Sequence, residues 1–127
     1  KIHEVDGYDD HREDKTKGRD GQYGPVHSVS FTEGGRLHEL TGETTWQVNS
    51  LHSQGINELA ESLVVEAVAD DGLVEAVSLA AGHSGQGNWI MGVQWHPEWQ
   101  FESNKVSTAM FKEFGRQIRR GMSARGR

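Results

Sequence analysis

The sequence predicts an α/β fold in which one sheet contains a β-hairpin and packs against an amphipathic helix near the C-terminus. Two apolar runs, residues 63–68 and 73–79, flank Asp70-Asp71-Gly72, and an Asp-Gly turn between two such runs is typical of a hairpin. Apolar residues recur every fourth position after Ser103, which is the repeat of a helix with one buried face. The length of 127 residues and the lack of internal repeats predict one domain over residues 1–127.

The chain begins with a long irregular stretch and continues with short elements. Residues 1–25 are charged and rich in turn residues, which predicts a loop that connects parts of a larger domain. Alternation over residues 26–31 predicts a strand, residues 37–40 predict one helical turn, and the β-branched and aromatic run 44–48 predicts a second strand.

The second half of the chain alternates apolar runs with polar connections. A helical stretch is predicted over residues 56–61, before the hairpin. Three glycines, Gly82, Gly85 and Gly87, predict a tight connection into a buried strand over residues 90–95.

The last predicted element is a helix over residues 103–120, and residues 121–127 are expected to fray. Its apolar stripe consists of Val106, Met110, Phe111, Phe114 and Ile118. Such a stripe predicts that the helix lies along the sheet.

The composition is poor for an independent core. Hydrophobic residues make up 34% of the chain, 16 of 127 residues are glycine, and the mean hydropathy is −0.70. This favours either a piece that completes its core against another segment or a loop-rich, water-exposed domain.

Charge and hydropathy exclude several classes of function. The net charge of −6 argues against a general nucleic-acid partner. Residues 21–102 carry eleven acids and one base, which is either a solvated surface or a field that attracts cationic substrates. No apolar run is long enough to span a membrane and the N-terminus is no signal peptide, so a cytoplasmic location and no membrane partner are predicted.

The most informative motif is His96-Pro97-Glu98, directly after the predicted strand over residues 90–95. Side chains two residues apart on extended backbone point to the same side, so Glu98 can orient the His96 ring and stabilise its protonated form. Such a pair serves a nucleophile, with His96 as general base and acid. The chain contains no cysteine, however, so it predicts only part of a hydrolase site. The alternative is a strand-end turn whose polar side chains face water.

Other chemistries fit the sequence poorly. A zinc deaminase needs cysteine ligands, which are absent. The seven histidines show no i, i+4 pair for two ligands on one helix face, so neither a metal site nor a cofactor is predicted.

A second polar cluster follows the predicted strand over residues 44–48. It comprises Asn49, Ser50, Leu51, His52, Ser53 and Gln54. Backbone N–H groups and side-chain amides here suit a small carboxylate or ammonium group, but a capped polar turn explains the same residues.

Two stretches, residues 46–55 and 91–99, resemble the class I glutamine amidotransferase-like hydrolases, and within them the γ-glutamyl-γ-aminobutyrate hydrolase branch, the C26 peptidases. Residues 11–14 and 71–76 resemble that branch too, so the resemblance covers essentially the whole chain. It implies the C-terminal part of an amidotransferase-like α/β domain.

The resemblance also implies roles. His96 and Glu98 match the second and third members of a Cys-His-Glu triad that cleaves γ-glutamyl amides through a thioester. Residues Asn49, Ser50, Leu51, His52 and Gln54 match the loop that helps hold the glutamyl group. The elbow that carries the cysteine is expected upstream of Lys1, so the implied partners are an N-terminal part, as a separate chain or missing sequence, and a small γ-glutamyl substrate.

Three functions stay open from the sequence. The first is a cysteine-type hydrolase of γ-glutamyl-GABA or γ-glutamyl-polyamine amides. The second is a glutaminase subunit that supplies ammonia to a synthase. The third is a non-catalytic binding module, because a chain without cysteine cannot perform this chemistry alone.

Overall fold

A computed structural model describes residues 1–80 and 89–125. In this part of the chain the strands are β1 (His27–Phe31), β2 (Thr45–Val48), β3 (Leu63–Ala69), β4 (Val74–Leu79) and β5 (Met91–Val93). They form one sheet in the order β2-β1-β3-β4-β5, and every neighbouring pair is antiparallel. The α-helices are α1 (Arg19–Tyr23), α2 (Arg36–Thr41) and α3 (Lys105–Arg125), with 3₁₀ turns at Ile2–Glu4 and Phe101–Ser103. The predicted α/β class is confirmed.

The predicted hairpin is formed by β3 and β4. Gly72 adopts a φ of 88°, a left-handed conformation that costs glycine little. Its N–H donates to the Ala69 carbonyl at 2.9 Å, and the Ala69 N–H donates to the Leu73 carbonyl at the same distance. The Asp-Gly sequence therefore sets this turn as predicted.

The core lies between the sheet and the helices. Phe31 pairs with Ala67, Ala67 with Ala76, and Ala76 with Val93, so one row of apolar side chains crosses four strands. Buried residues that pack with this sheet come from the N-terminal turn, α2, the segment after β5, and α3: Ile2, Leu37, Trp95, Val106 and Met110.

A buried carboxylate fixes α2 to the sheet. Glu66 on β3 is 2% exposed, and its Oε2 accepts the Leu37 N–H at 3.1 Å while its Oε1 accepts the Ser78 hydroxyl at 2.6 Å. The negative charge therefore lies at the positively polarised N-terminal end of α2, where it is stabilised.

Two predictions in the first half of the chain are wrong. Residues 56–61 contain no helix. A run of six residues needs tertiary contacts to offset the cost of helix nucleation, such as the bond from the Leu37 N–H to Glu66 that stabilises α2. Residues 1–25 are not all loop, since they include α1 and a 3₁₀ turn. Ile2 in that turn is 4% exposed, and its N–H donates to the Ser53 carbonyl at 3.0 Å.

The strand predicted over residues 90–95 is shorter than expected and lies at the sheet edge. Only Met91–Val93 are extended in the sheet, and Ile90 is 50% exposed. The Gln94 N–H still donates to the Glu75 carbonyl at 2.8 Å before the chain bends. The predicted connection with Gly82, Gly85 and Gly87 lies outside the described residues.

Helix α3 differs at both ends from the predicted range of 103–120. It begins at Lys105 because the Asn104 side chain accepts the Ser107 N–H at 3.0 Å, which caps the first turn. It continues through Gly121 to Arg125, where fraying was expected. None of the helices in residues 1–80 and 89–125 has the length and apolar character to cross a membrane.

The apolar stripe of α3 is only partly covered. Val106 and Met110 are buried, as predicted. In contrast, Phe111, Phe114 and Ile118 are 41%, 50% and 46% exposed. The second half of the stripe is therefore left largely uncovered.

Candidate functional site

His96 and Glu98 form the contact that their spacing predicts. The His96 Nδ1 lies 2.9 Å from the Glu98 Oε1. With Nδ1–H as the donor, the ring keeps the tautomer whose Nε2 lone pair is available as a base. Among the described residues, no side chain or carbonyl forms a hydrogen bond to that Nε2. His96 is 41% and Glu98 62% exposed at the side chain, so the pair lies at the surface.

Asn49, at the end of β2, fixes the backbone of His96. Its Oδ1 accepts the His96 N–H at 2.7 Å, and its Nδ2 donates to the His96 carbonyl at 3.1 Å. The second Nδ2 hydrogen goes to the Tyr23 carbonyl at 3.0 Å. Both amide hydrogens are therefore used within the protein, and Asn49 is 7% exposed.

A cavity of about 200 Å³ lies beside His96. Its wall includes Trp46, Asn49, Trp95, His96 and Trp99. The Tyr23 and Trp99 rings lie 5.0 Å apart, and the Arg19 guanidinium lies 5.4 Å from the Trp99 ring. The side chains thus form a partly apolar cavity next to the imidazole ring of His96.

The other predicted binding residues of the 49–54 segment form their hydrogen bonds away from His96. The Ser50 hydroxyl donates to the His11 carbonyl at 2.7 Å, and the His52 N–H donates to the same carbonyl at 3.1 Å. Leu51 is partly exposed, and Gln54 is exposed and accepts at its backbone carbonyl from the His52 ring. The structure therefore divides the predicted binding residues between two places.

The second place is a buried cluster of histidines around Glu75. The Glu75 Oε1 lies 3.1 Å from His11 Nδ1, 3.4 Å from His52 Nε2 and 3.8 Å from His27 Nε2. Glu75 is completely buried and His11 is 3% exposed. Among the described residues, these three ring nitrogens and both Glu75 carboxylate oxygens lack a hydrogen bond of good geometry.

Electrostatics around this cluster shift two pKa values. Burial lowers the pKa of His52, but the nearby Glu75 carboxylate and the Gln54 carbonyl outweigh it, so the pKa is raised above its ordinary value. Burial raises the pKa of Asp71, but hydrogen bonds from His11 and from the Leu73 and Asp9 N–H groups outweigh it, so this pKa is lowered. Asp71 is therefore a charged partner of the His11 ring.

Sequence reasoning did not predict this cluster. It considered histidine pairs on one helix face, whereas the cluster joins His11 from an irregular segment, His27 from β1, His52 from a loop and Glu75 from β4. The signal that could have found it was the presence of His11 and Glu75 in the two shorter stretches of the resemblance, residues 11–14 and 71–76.

Comparisons with known proteins show the family of this chain. A model of the peptidase C26 family matches residues 1–98. The γ-glutamyl-γ-aminobutyrate hydrolase PuuD of Escherichia coli strain K12 is 43% identical over 106 residues, which cover 83% of this chain and 40% of PuuD.

Two further relatives carry different names and match a smaller part of this chain. A glutamine amidotransferase-like protein of Rickettsia prowazekii is 42% identical over 87 residues, 68% of this chain and 29% of its own length. Protein NtpR of Enterococcus hirae is 36% identical over 89 residues, 70% of this chain and 35% of its own length. The chain thus spans well under half the length of these curated relatives.

Proposed function

Because this chain belongs to the peptidase C26 family, we propose that it supplies the histidine and the carboxylate of a Cys-His-Glu triad in a hydrolase of γ-glutamyl amide bonds. The observation that carries the proposal is the 2.9 Å contact between His96 Nδ1 and Glu98 Oε1. It orients the ring so that Nε2 can take a proton from a nucleophile in the adjoining cavity.

The nucleophile comes from outside these 127 residues, because the chain contains no cysteine. A segment that carries it, in the same polypeptide or in a second one, would lodge beside His96. Exposed apolar side chains support the idea that further protein surface covers this chain: Ile90, Phe111, Phe114, Ile118 and Met122. A contiguous apolar surface of this kind is typical of an interface.

The proposed reaction is acyl transfer. His96 Nε2 takes the proton of the cysteine thiol, and the thiolate attacks the γ-amide carbon of the substrate to form a carbon–sulfur bond. The carbon–nitrogen bond then breaks and His96 protonates the departing amine. Water, deprotonated by His96, attacks the thioester, which releases glutamate and returns the thiol.

Each of the other residues has a role in this scheme. Glu98 stabilises the imidazolium that forms in both steps. Asn49 is a positioning residue, because its amide group is occupied by the His96 backbone. We retain Ser50, Leu51, His52 and Gln54 as candidate contacts to the glutamyl group, through the backbone of their loop.

The amine that leaves is proposed to be γ-aminobutyrate or a polyamine. The name of PuuD points to the first. The eleven acidic residues against one base in residues 21–102 favour the second, because an acidic surface attracts a cation.

The experiment is an assay of glutamate release by the full-length protein that contains these residues. γ-Glutamyl-GABA and a γ-glutamyl-polyamine are compared with glutamine as substrates. We expect turnover of a γ-glutamyl amide, and His96→Gln is expected to lower kcat by about 10³-fold or more. The matched control is His38→Gln, which replaces a histidine on α2 and is expected to leave kcat unchanged. Absence of turnover with every γ-glutamyl amide would refute the proposal.

A second candidate is a glutaminase subunit that supplies ammonia to a synthase. The Rickettsia prowazekii relative, named glutamine amidotransferase-like, favours it. In that case glutamine would be the preferred substrate, and a partner synthase would accelerate its hydrolysis. Binding of γ-glutamyl ligands without any turnover would instead identify a binding module.

A further inference from the structure

The geometry around Glu75 points to a function beyond the hydrolase site: we propose that His11, His27 and Glu75, with His52 beside them, bind one divalent transition-metal ion of the zinc type. One ring nitrogen each of His11 and His27 and a Glu75 carboxylate oxygen lie within 4.8 Å of one another. Imidazole nitrogen with one carboxylate is a donor set that zinc prefers.

The distances from Glu75 to the histidine nitrogens are close to those around a tetrahedral ion, whereas His52 does not belong to the group of three residues whose donor atoms all lie within 4.8 Å of one another. Zinc–nitrogen and zinc–oxygen bonds of about 2.0–2.2 Å imply donor atoms separated by about 3.3–3.6 Å along the edges of a tetrahedron. The contacts of Glu75 Oε1 with His11 Nδ1, His52 Nε2 and His27 Nε2 are 3.1, 3.4 and 3.8 Å. The distances from Glu75 Oε1 to His11 Nδ1 and His27 Nε2 therefore lie within about half an ångström of the tetrahedral edge, and His52 would have to move further to become a fourth donor.

The far nitrogen of each histidine ring is held by an acceptor. His11 Nε2 lies 2.6 Å from Asp71 Oδ2, His52 Nδ1 lies 2.9 Å from the Gln54 carbonyl, and His27 Nδ1 lies 3.3 Å from the Ser28 carbonyl. In a neutral ring, each acceptor favours a proton on the far nitrogen, which leaves a lone pair on the near nitrogen towards Glu75. Metal-binding histidines are oriented in this way.

The burial of the Glu75 carboxylate also favours a bound cation. Glu75 is 0% exposed and, among the described residues, both of its carboxylate oxygens lack a hydrogen-bond partner. A buried carboxylate is costly unless a cation, either a protonated imidazole or a metal ion, lies against it. A divalent ion between Glu75, His11 and His27 would satisfy the donor atoms of these three residues at once.

The ion would have a structural role. His11 and Glu75 are buried at 3% and 0% side-chain exposure, although His11 and His27 also line a cavity of about 310 Å³, and buried donor sets of this kind are typical of structural zinc. The ion would tie the irregular segment around His11 to β1 and β4, and the loop of residues 49–54 is bound in turn to the His11 carbonyl through Ser50 and His52. Since Asn49 in that loop holds His96, the ion would also support the position of the catalytic histidine.

The test is metal binding by the full-length protein. The protein is stripped with a chelator, and its metal content is measured after exposure to Zn²⁺ and dialysis. Co²⁺ is used as a second probe, because its visible absorption reports tetrahedral nitrogen and oxygen ligands. We expect one ion per chain, a Co²⁺ spectrum of tetrahedral type, and a thermal midpoint about 5–10 °C higher with Zn²⁺ than without it.

Variants separate this site from adventitious binding. Glu75→Gln and His27→Gln should lower the Zn²⁺ affinity by at least about 100-fold, and Asp71→Asn, which loosens the His11 ring, by about 10- to 100-fold. His38→Gln, outside the cluster, should bind as the wild type does. If Glu75→Gln does not fold, His27→Gln and the wild-type Co²⁺ spectrum still decide between the proposed site and adventitious binding.

Three results would overturn the proposal. The first is a wild-type protein that retains less than about a tenth of an ion per chain at micromolar Zn²⁺. The second is equal affinity in Glu75→Gln, His27→Gln and wild type, which would indicate surface histidines. The third is a nitrogen NMR spectrum in which His52 is doubly protonated beside Glu75 even with Zn²⁺ present. Hydrolase activity is not needed for any of these readouts, so failure here leaves the proposed function untouched.

Discussion

The Asn49 side chain binds the backbone of His96 on both sides, with the His96 N–H at 2.7 Å from its Oδ1 and the His96 carbonyl at 3.1 Å from its Nδ2. The two residues are 47 positions apart. One amide group thus joins the end of β2 to the segment after β5. The proposed catalytic histidine is placed by this contact, while its orientation comes from Glu98.

Replacement of Asn49 by alanine should therefore impair turnover more than substrate binding. We expect kcat for a γ-glutamyl amide to fall by about 10- to 100-fold, because a small displacement of a catalytic group is costly, while KM changes little. Steady-state kinetics of the full-length protein measure both. Asn57→Ala, at an exposed asparagine, is the control. A change in KM alone would show that Asn49 contacts substrate instead.

Glu98→Gln tests the carboxylate of the proposed triad. The amide preserves the shape and can still accept the His96 Nδ1–H, but it loses the charge that stabilises the imidazolium. We expect kcat to fall by about 10²-fold or more with an unchanged fold, as judged by circular dichroism. Glu102→Gln, an exposed glutamate in the same region, should retain full activity. Equal rates in both variants would remove Glu98 from the mechanism.

The sequence predicts the local elements well and the long-range ones poorly. The hairpin turn at Gly72 and the strands β1 and β2 are encoded by neighbouring residues, so their patterns are sufficient. The contact between His96 and Glu98 is likewise local. In contrast, the bond from Asn49 to His96 depends on how distant segments meet, and no periodicity reports it.

The same distinction explains the errors. Residues 56–61 have a helix-forming composition. So short a helix is stable only with tertiary contacts, however, and local composition does not report those contacts. Helix α3 continues beyond the predicted end at residue 120, because a long helix tolerates one glycine, here Gly121, at a cost of about 1 kcal/mol. The cluster around Glu75 joins residues up to 64 positions apart, so spacing alone could not predict it.

Glu66 should be important for stability rather than for catalysis. Its carboxylate is 2% exposed and accepts from Leu37 N–H and Ser78 Oγ–H. In Glu66→Gln one of these donors would face an amide NH₂ group, so we expect the free energy of unfolding to fall by about 1–3 kcal/mol. Urea denaturation measures the loss, and Glu61→Gln, at an exposed position, should change it by less than about 0.5 kcal/mol. A stability equal to wild type would mean that water replaces the lost partner.

Gly35 is required because the Glu66 carboxylate approaches its backbone closely. A Cβ at this position would lie 2.8 Å from Glu66 Oε2 and 2.9 Å from the Thr32 carbonyl oxygen. A movement of either oxygen would weaken a hydrogen bond. Glu66 Oε2 accepts the Leu37 N–H of α2, and the Thr32 carbonyl accepts the Gly35 N–H at 2.9 Å. Gly35→Ala should therefore lower the free energy of unfolding by about 1–3 kcal/mol.

The control for this substitution is Gly18→Ala, because a Cβ at Gly18 meets nothing within 4 Å. That variant should be as stable as wild type or slightly more stable, since alanine restricts the unfolded chain. Combining Gly35→Ala with Glu66→Gln should cost less than the sum of the single changes, because both act on the same contact. Strict additivity in urea denaturation would show that the Cβ is accommodated by a movement of α2 that does not involve Glu66.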